Sequence, residues 1–535
     1  MSTKRFSNYE DLLTFTRASG GHALRPVSYG AELVTNGDFS STDLSNWSSA
    51  INSTATVTSG ELVVTGVSAS GRQVASISTT VGQVYRLTGE ARVSTGSGTA
   101  LLAVSDTTSG LSDRGFVATT ETTATDLQLI FVATQSTHYV TAGNGSSGTG
   151  DKIFDNLSVK EVTFDESDGT LTLFEHPDNV PRVEYDADGN RLGLLVEEAR
   201  TNLITYSEDF TDSSWTDSRA TITSERIQGP DKKTDSGYKL EGDANIGTHR
   251  LYSLGFSVTS GTSYTFSLYM KAGEDDSPRL ALTDNAENAT LFNGADSTFD
   301  LTNGTADADG SIEDVGNGWY RCTLTGTAQS TDTARAFLYL NDKAGTAFDG
   351  QGLYIFGAQV EEGAFPTSYI KSNSGSTTTR SADVASLPVS DFGFNTSVGS
   401  VVAEVAAHNT DSNAAAHYTL SKTTLGSEWV STYSSGTSVA FRVREGGSDQ
   451  GVINISDDIR TSGAKTGFAF KKDDFAAVVN GGAVSTDTSG SMASGIEELK
   501  IAGFGSNPRQ LCGHIKSIRY YPRRLTNAQL QEITT

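Results

Sequence analysis

One block of sequence occurs twice in this chain, and a long repeat constrains the fold more than any single motif. Leu33–Phe39 is echoed by Leu203–Phe210, with Trp47 following the first copy and Trp215 the second. Gly82–Gly89 is echoed by Gly261–Leu268, so that Tyr85 answers to Tyr264. Lys152–Glu161 is echoed by Leu353–Glu362. Three matches in the same order imply one fold present twice. Within these blocks apolar and polar residues alternate, as in Val84-Tyr85-Arg86-Leu87 and across Leu127–Val132. A period of two places one face of a strand in a core and the other in water.

Composition points the same way. With 535 residues the chain has room for roughly three or four domains. The 36% hydrophobic fraction is low for one large core and suits several thin sandwiches, in which half of each strand is wet. Disorder is excluded by 24 Phe and 18 Tyr. The formal net charge of −25 excludes a nucleic-acid binder, which needs a basic footprint, and disfavours an anionic membrane surface. Cys322 and Cys512 fall in different units and read as buried thiols rather than a disulfide framework. Neither a signal peptide nor an apolar run long enough to span a bilayer is visible, so synthesis in a cytoplasm without membrane insertion is expected.

Between the two copies lies Leu192–Ile204, preceded by Pro181-Arg182-Val183-Glu184-Tyr185 and a turn at Asp188-Gly189, which reads as strand, turn, strand. Together with Thr14-Phe15-Thr16-Arg17-Ala18-Ser19 and Asp168-Gly169-Thr170-Leu171, this stretch resembles the collar of tail-fibre, spike and other virion-surface proteins of tailed bacteriophages. Pro181-Arg182 and Gly193–Leu203 carry the rest of the match, and the whole resemblance covers about sixty residues in two pieces. Residues 31–162 then read as a module inserted into the collar at an exposed loop. The opening Asn36-Gly37-Asp38-Phe39 and the module's boundaries resemble the jelly-roll carbohydrate-binding modules that accompany glycoside hydrolases. Residues 1–30 are assigned to the N-terminal part of the collar and to particle anchoring, or equally to a terminal strand closing its sheet. Residues 163–201 continue the collar, 202–371 form the second jelly roll, and 372–388 are a polar linker.

The last unit, 389–535, has strands at Ser400–Val405, Phe468–Phe470 and Phe475–Val479, then a hairpin signal at Asn480-Gly481-Gly482. It ends in a helix with Thr526 as N-cap, Gln529 completing a capping box, and Leu525 and Leu530 as a hydrophobic staple. This ending resembles the laminin-G/pentraxin-like branch of concanavalin A-type sandwiches. The expected fold class is all-β and multidomain: two jelly-roll sandwiches on a β collar, and a C-terminal concanavalin A-like sandwich.

Sugars are bound by aromatic faces that stack on their C–H side, with polar groups on the hydroxyls. The aromatic candidates are Trp47 and Tyr139 in the first module, Trp215, Tyr252 and Trp319 in the second, and Trp429 and Tyr433 in the third unit. For each the alternative is a core ring. The jelly-roll resemblance implies a structural calcium ion at Asp38 and Asp155, the alternatives being an Asx turn and a surface carboxylate. In the second copy Asp209 is kept, but Gly357 stands near the Asp155 position. No catalytic residues are assigned. Glu197-Glu198 reads as an exposed pair, and His22, His138, His176, His249, His408, His417 and His514 lack metal-ligand spacing and read as surface or turn residues.

The phage resemblance implies a virion-surface protein, a tail fibre, spike or head fibre, that binds host-surface polysaccharide without catalysis. Weak sugar sites gain avidity from copies, so a homo-oligomer, a trimer foremost, in contact with other virion proteins is expected. A decoration or cement protein and a glycan depolymerase are the alternatives.

Overall fold

The computed structural model describes residues 13–535 apart from 48, 69, 146–147, 285, 288–289, 341–347, 408–414, 424–425, 459–462 and 504–510. The chain divides into two compact units, Pro26–Thr170, and Met1–Arg25 with Leu171–Thr535. Both are built of antiparallel sheets, and Asn527–Thr534 is the one α-helix among the described residues. The all-β fold class expected from the alternation is what the chain adopts.

In the first unit two sheets face each other. One runs in the order Ser49–Ile51, Arg72–Ser78, Thr137–Asn144, Ala100–Ser105, Gly115–Thr119. The other carries Thr125–Val132, Val84–Val93, Gly150–Phe164, Glu61–Gly66 and Ser53–Thr58. Between them pack Leu62, Val64, Leu87, Leu102, Val104, Val140, Phe154 and Val159, all fully or almost fully buried.

The second jelly roll, within the other unit, repeats this order strand for strand. One sheet runs Trp215–Ser218, Arg250–Ser253, Asp332–Tyr339, Arg279–Thr283, Asp296–Asp300, and the facing sheet carries Ala220–Ile227, Gly237–Gly242, Gly352–Glu362, Ser263–Ala272 and Tyr320–Ala328. Local details recur as well. The Thr80 amide donates to Tyr85 Oη at 2.8 Å, and the Thr259 amide to Tyr264 Oη at 3.0 Å. Each long strand carries a β-bulge at the same place, between Asp155 and Ser158 in one copy and between Phe356 and Gln359 in the other. The bulge residues have positive φ, 53° at Asn156 and 61° at Gly357. Asn and Gly are the residues that tolerate this region.

The collar and the C-terminal sandwich are one body. One sheet runs Thr14–Thr16, Val384–Pro388, Glu498–Ile501, Ala415–Ser421, Trp429–Ser435, Ser438–Glu445, Ser448–Ser456. The other runs Arg182–Tyr185, Arg191–Val196, Gly513–Tyr521, Val398–Ala407, Ala464–Lys471, Phe475–Val479, Ser485–Asp487. Phe15, Leu194, Val196 and Ala385 are buried in the same core as Val401, Phe441, Phe468 and Phe475. A separate collar and a linker at 372–388 are therefore corrected. Those polar residues supply strands Thr378–Arg380 and Val384–Pro388 and bury Arg380 and Asp383. The physical reason is that open sheet edges need partners, and the collar segments provide them. The Asp188-Gly189 turn forms, with Gly189 at φ 78°, and so does the capping box of Thr526 and Gln529, with Leu525 and Leu530 buried beside it. Of the segment expected to begin at Tyr9, residues up to 12 lie outside the described ones.

Candidate functional site

The outward face of the second jelly roll's Trp215-containing sheet carries a row of aromatic and arginine side chains. In the strand Asp332–Tyr339 the even positions Ala334, Ala336 and Leu338 enter the core, which sends Arg335, Phe337 and Tyr339 outward. Strand register brings Tyr252 opposite Phe337, and Arg250 and Arg279 opposite Tyr339. The rings form a row. Tyr252 stacks on Phe337 at 5.1 Å between centroids, and Phe337 on Tyr339 at 5.7 Å with planes 12° apart. Guanidinium groups lie against them: Arg279 is 3.9 Å from the centre of the Tyr339 ring, Arg335 is 5.3 Å and Arg250 is 5.8 Å from that of Tyr252. Such contacts each contribute about 0.5–1 kcal/mol where they are exposed.

Carboxylates hold two of these guanidiniums in place, and Arg335 donates to the Ser253 carbonyl at 3.1 Å. Arg279 donates to Asp296 at 2.8 Å, Arg250 pairs with Glu287, and Tyr339 Oη donates to Glu287 at 3.0 Å. Phe337 and Tyr339 are covered by this arrangement, whereas Tyr252 keeps part of its ring exposed and Thr216, its neighbour across the strand, is exposed. The result is one part-exposed ring, Tyr252, backed by the buried Phe337 and Tyr339 and flanked by fixed guanidinium donors and the Thr216 hydroxyl. That combination suits a ligand apolar on one side and rich in oxygen on its edges.

The corresponding sheet face of the first unit is plainer. Half-buried Tyr139 lies between Ser76 and Ser105, and Phe116, 57% exposed, lies opposite Ala103. In the C-terminal sandwich Trp429 and Tyr433 point away from the main core and pack with Ala416 and Ala440. Arg444 and Arg442 lie 6.0 and 5.6 Å from their ring centres. Both rings are buried, so neither offers a free face as it stands.

Three tryptophan assignments are corrected. Trp47 is 1% exposed and packs on Phe39, Trp215 is 8% exposed and packs on Phe210, and Trp319 is fully buried with Nε1 donating to the Gln228 carbonyl at 3.1 Å. A ring enclosed on both faces cannot stack on a sugar. The arginines and the Phe337–Tyr339 pair were missed. Their signal was the alternation Ala334-Arg335-Ala336-Phe337-Leu338-Tyr339, which puts every polar or aromatic side chain on one face.

At the calcium candidates, Asp38 Oδ1 accepts from the Ser40 amide and hydroxyl, an Asx-type turn, and Asp155 Oδ1 accepts from the Asn156 amide. Asn156 Nδ2 donates to Glu90 at 2.8 Å. Burial, then repulsion from Glu90, Glu61 and Asp38, raises the Asp155 carboxyl above its usual range. Among the described residues no three His, Cys, Asp or Glu groups converge as a metal set. A cation at this place would draw its remaining ligands from backbone carbonyls.

The Glu197 and histidine expectations are also corrected. Glu197 is 4% exposed and sits in a cluster of charges contributed by the collar motifs. Arg182 pairs with Asp383 at 2.6 Å and with Glu197 at 2.8 Å, Arg17 with Asp383 at 3.2 Å, and Arg380 with Glu197 at 3.5 Å. The Ser368 amide and hydroxyl both donate to Glu197 at 2.6 Å. Burial disfavours the charged form of Glu197, but Arg380, Arg182 and the Ser368 bonds outweigh it and hold the carboxyl well below its usual range. Burial and the neighbouring Arg182 bring Arg17 down to about 10. Glu197 is thereby committed to structure. His22, His138, His176, His249, His417 and His514 are all buried, and His408 lies outside the described residues. Burial alone drives His417 down to about 3. Both cysteines are buried free thiols.

No protein-family model matches the chain, and no curated protein does. Among solved structures, the tandem CBM22 domains of Paenibacillus barcinonensis Xyn10C align at 12% identity over 63% of this chain and 99% of theirs, with a TM-score of 0.21. Domains LG4-5 of the mouse laminin α1 chain align at 10% identity over 54% of this chain and 89% of theirs, with a TM-score of 0.19. Trypanosoma rangeli sialidase aligns at 10% identity over 91% of this chain and 83% of its own, with a TM-score of 0.24. Scores this low carry no weight for function.

Proposed function

We propose that this chain is a non-catalytic glycan-binding protein of a phage particle surface, and that the outward sheet face around Tyr252 is its principal binding face. The part-exposed Tyr252 ring, stacked on the buried Phe337 and flanked by Arg250 and Arg335, carries this reading. Support for the particle surface comes from the collar words quoted above, whose charged residues Arg17, Arg182 and Glu197 meet in one buried cluster. Copies presented together, a trimer foremost, supply the avidity that one shallow face lacks.

The test is adsorption of the purified full chain to host cells and to arrayed surface polysaccharides, with Tyr252→Ala alongside. Loss of one stacking ring costs about 1–2 kcal/mol of binding, so affinity falls roughly 5- to 30-fold, while the melting temperature drops by only the few degrees that the ring's own contacts to Phe337, Arg250 and Arg335 account for. Equal binding by both proteins removes this face from the interaction. Falling viscosity of the polysaccharide during incubation would favour a depolymerase instead.

A further inference from the structure

We propose that the collar body holds a second and smaller site, a recess beside His22 that takes the edge of a single uncharged polyol, such as one terminal sugar residue. His22 is 6% exposed, and its Nδ1 lies 2.9 Å from the Tyr369 carbonyl oxygen. A carbonyl only accepts, so Nδ1 carries the proton and Nε2 presents a lone pair. Burial lowers the imidazole's affinity for a second proton, against the pull of Glu175 and Glu208, so the ring is neutral. No donor among the described residues reaches Nε2.

The imidazole borders a recess of about 100 Å³ that Ser19, Glu175, Lys371 and Arg380 also line. Glu175 makes no hydrogen bond or ion pair among the described residues. Gly20 leaves room beside it, since a Cβ there would stand 3.3 Å from Glu175 Oε1. Two acceptors without protein donors, both within reach of water in one half-enclosed space, can receive a ligand that donates in water's place. A cation is disfavoured because Lys371 and Arg380 line the same space and no third ligating group joins His22 and Glu175 among the described residues. An anion is disfavoured by Glu175. Hydroxyl groups meet both conditions. Lys371, tied to Glu208 at 2.5 Å, still has ammonium hydrogens to offer a ligand oxygen. The volume equals that of about three waters, which fits the edge of one sugar ring and not a chain.

This site stands on observations separate from the Tyr252 face, and the experiment keeps the two apart. The full chain, labelled with ¹⁵N-histidine, is titrated separately with the methyl glycosides of glucose, galactose, mannose and N-acetylglucosamine, and with zinc chloride. The expected result is a saturable shift of one buried Nε2 resonance by at least one glycoside. Glu175→Gln weakens that binding about tenfold, and Tyr252→Ala leaves it unchanged. Glu175→Ala serves as a second variant should the first melt early. The proposal is overturned if no glycoside shifts a histidine signal, if zinc alone does, if both Glu175 variants bind as the parent does, or if Tyr252→Ala abolishes the shift.

Discussion

Asp383→Asn removes one charge from the collar cluster while keeping its shape. Asp383 faces Arg182 at 2.6 Å and Arg17 at 3.2 Å, and accepts the Glu197 amide at 2.9 Å. All three side chains of the Asp383, Arg182 and Arg17 set are fully enclosed. In the parent, two carboxylates face the three guanidiniums of Arg17, Arg182 and Arg380. In the variant, Glu197 alone faces three buried cations. Removing one partner of a buried pair costs about 3–5 kcal/mol, because the other charge remains without compensation. That is a large share of the ~5–15 kcal/mol by which a domain is stable. Urea unfolding followed by fluorescence measures it, with the midpoint moving down and the slope unchanged. The first unit, Pro26–Thr170, contains none of these residues, and its own transition should stay where it was. A loss below about 1 kcal/mol would refute the view that this cluster organises the collar.

Acid should weaken the same body. Burial opposes ionisation of Glu208, yet Lys371 and Lys233 bring its carboxyl down to about 2. A carboxyl lowered on folding stabilises fully above its unfolded value near 4.3 and loses that contribution as pH falls toward 2, so the urea midpoint should drop across this window, and a flat profile contradicts it. Gly357→Ala places a Cβ 3.1 Å from Tyr269 and 3.2 Å from Tyr369 at φ 61°, and thermal melting should register a loss of about 1–3 kcal/mol. Calcium held by Asp38 and Asp155 would stabilise the first unit by about 2.7 kcal/mol at a hundredfold excess over Kd, and Asp155→Asn would abolish the gain. Identical melting in calcium and in chelator disposes of that ion.

Much of the fold was legible because period-two alternation and turn chemistry are local. The Phe475–Val479 strand, the Thr526 cap and the Asp188-Gly189 turn each follow from a few neighbouring residues. The duplication was legible for the same reason, since each copy carries its own alternation. What escaped is set by contacts distant in sequence. Ser372–Pro388 looks like a spacer, because its polar residues find their partners at Arg17, Arg182 and Glu197. Glu197 reads as a surface acid for the same reason. In this chain Trp47 and Trp215 fill the sandwich interiors, Trp319 and Trp429 are buried in smaller clusters, and the ring left part-exposed beside guanidinium groups is Tyr252.

The strand order of the C-terminal body has a bearing on synthesis. Arg191–Val196 finds its neighbour in Gly513–Tyr521, and Thr14–Thr16 finds its own in Val384–Pro388. On the ribosome these early strands must wait, unpaired, for several hundred later residues, and such distant pairings are slow to close. Pro26–Thr170 has every partner to hand as soon as it emerges. Chains stopped short of Gly513 should therefore accumulate with a finished first sandwich and unpaired strand edges elsewhere.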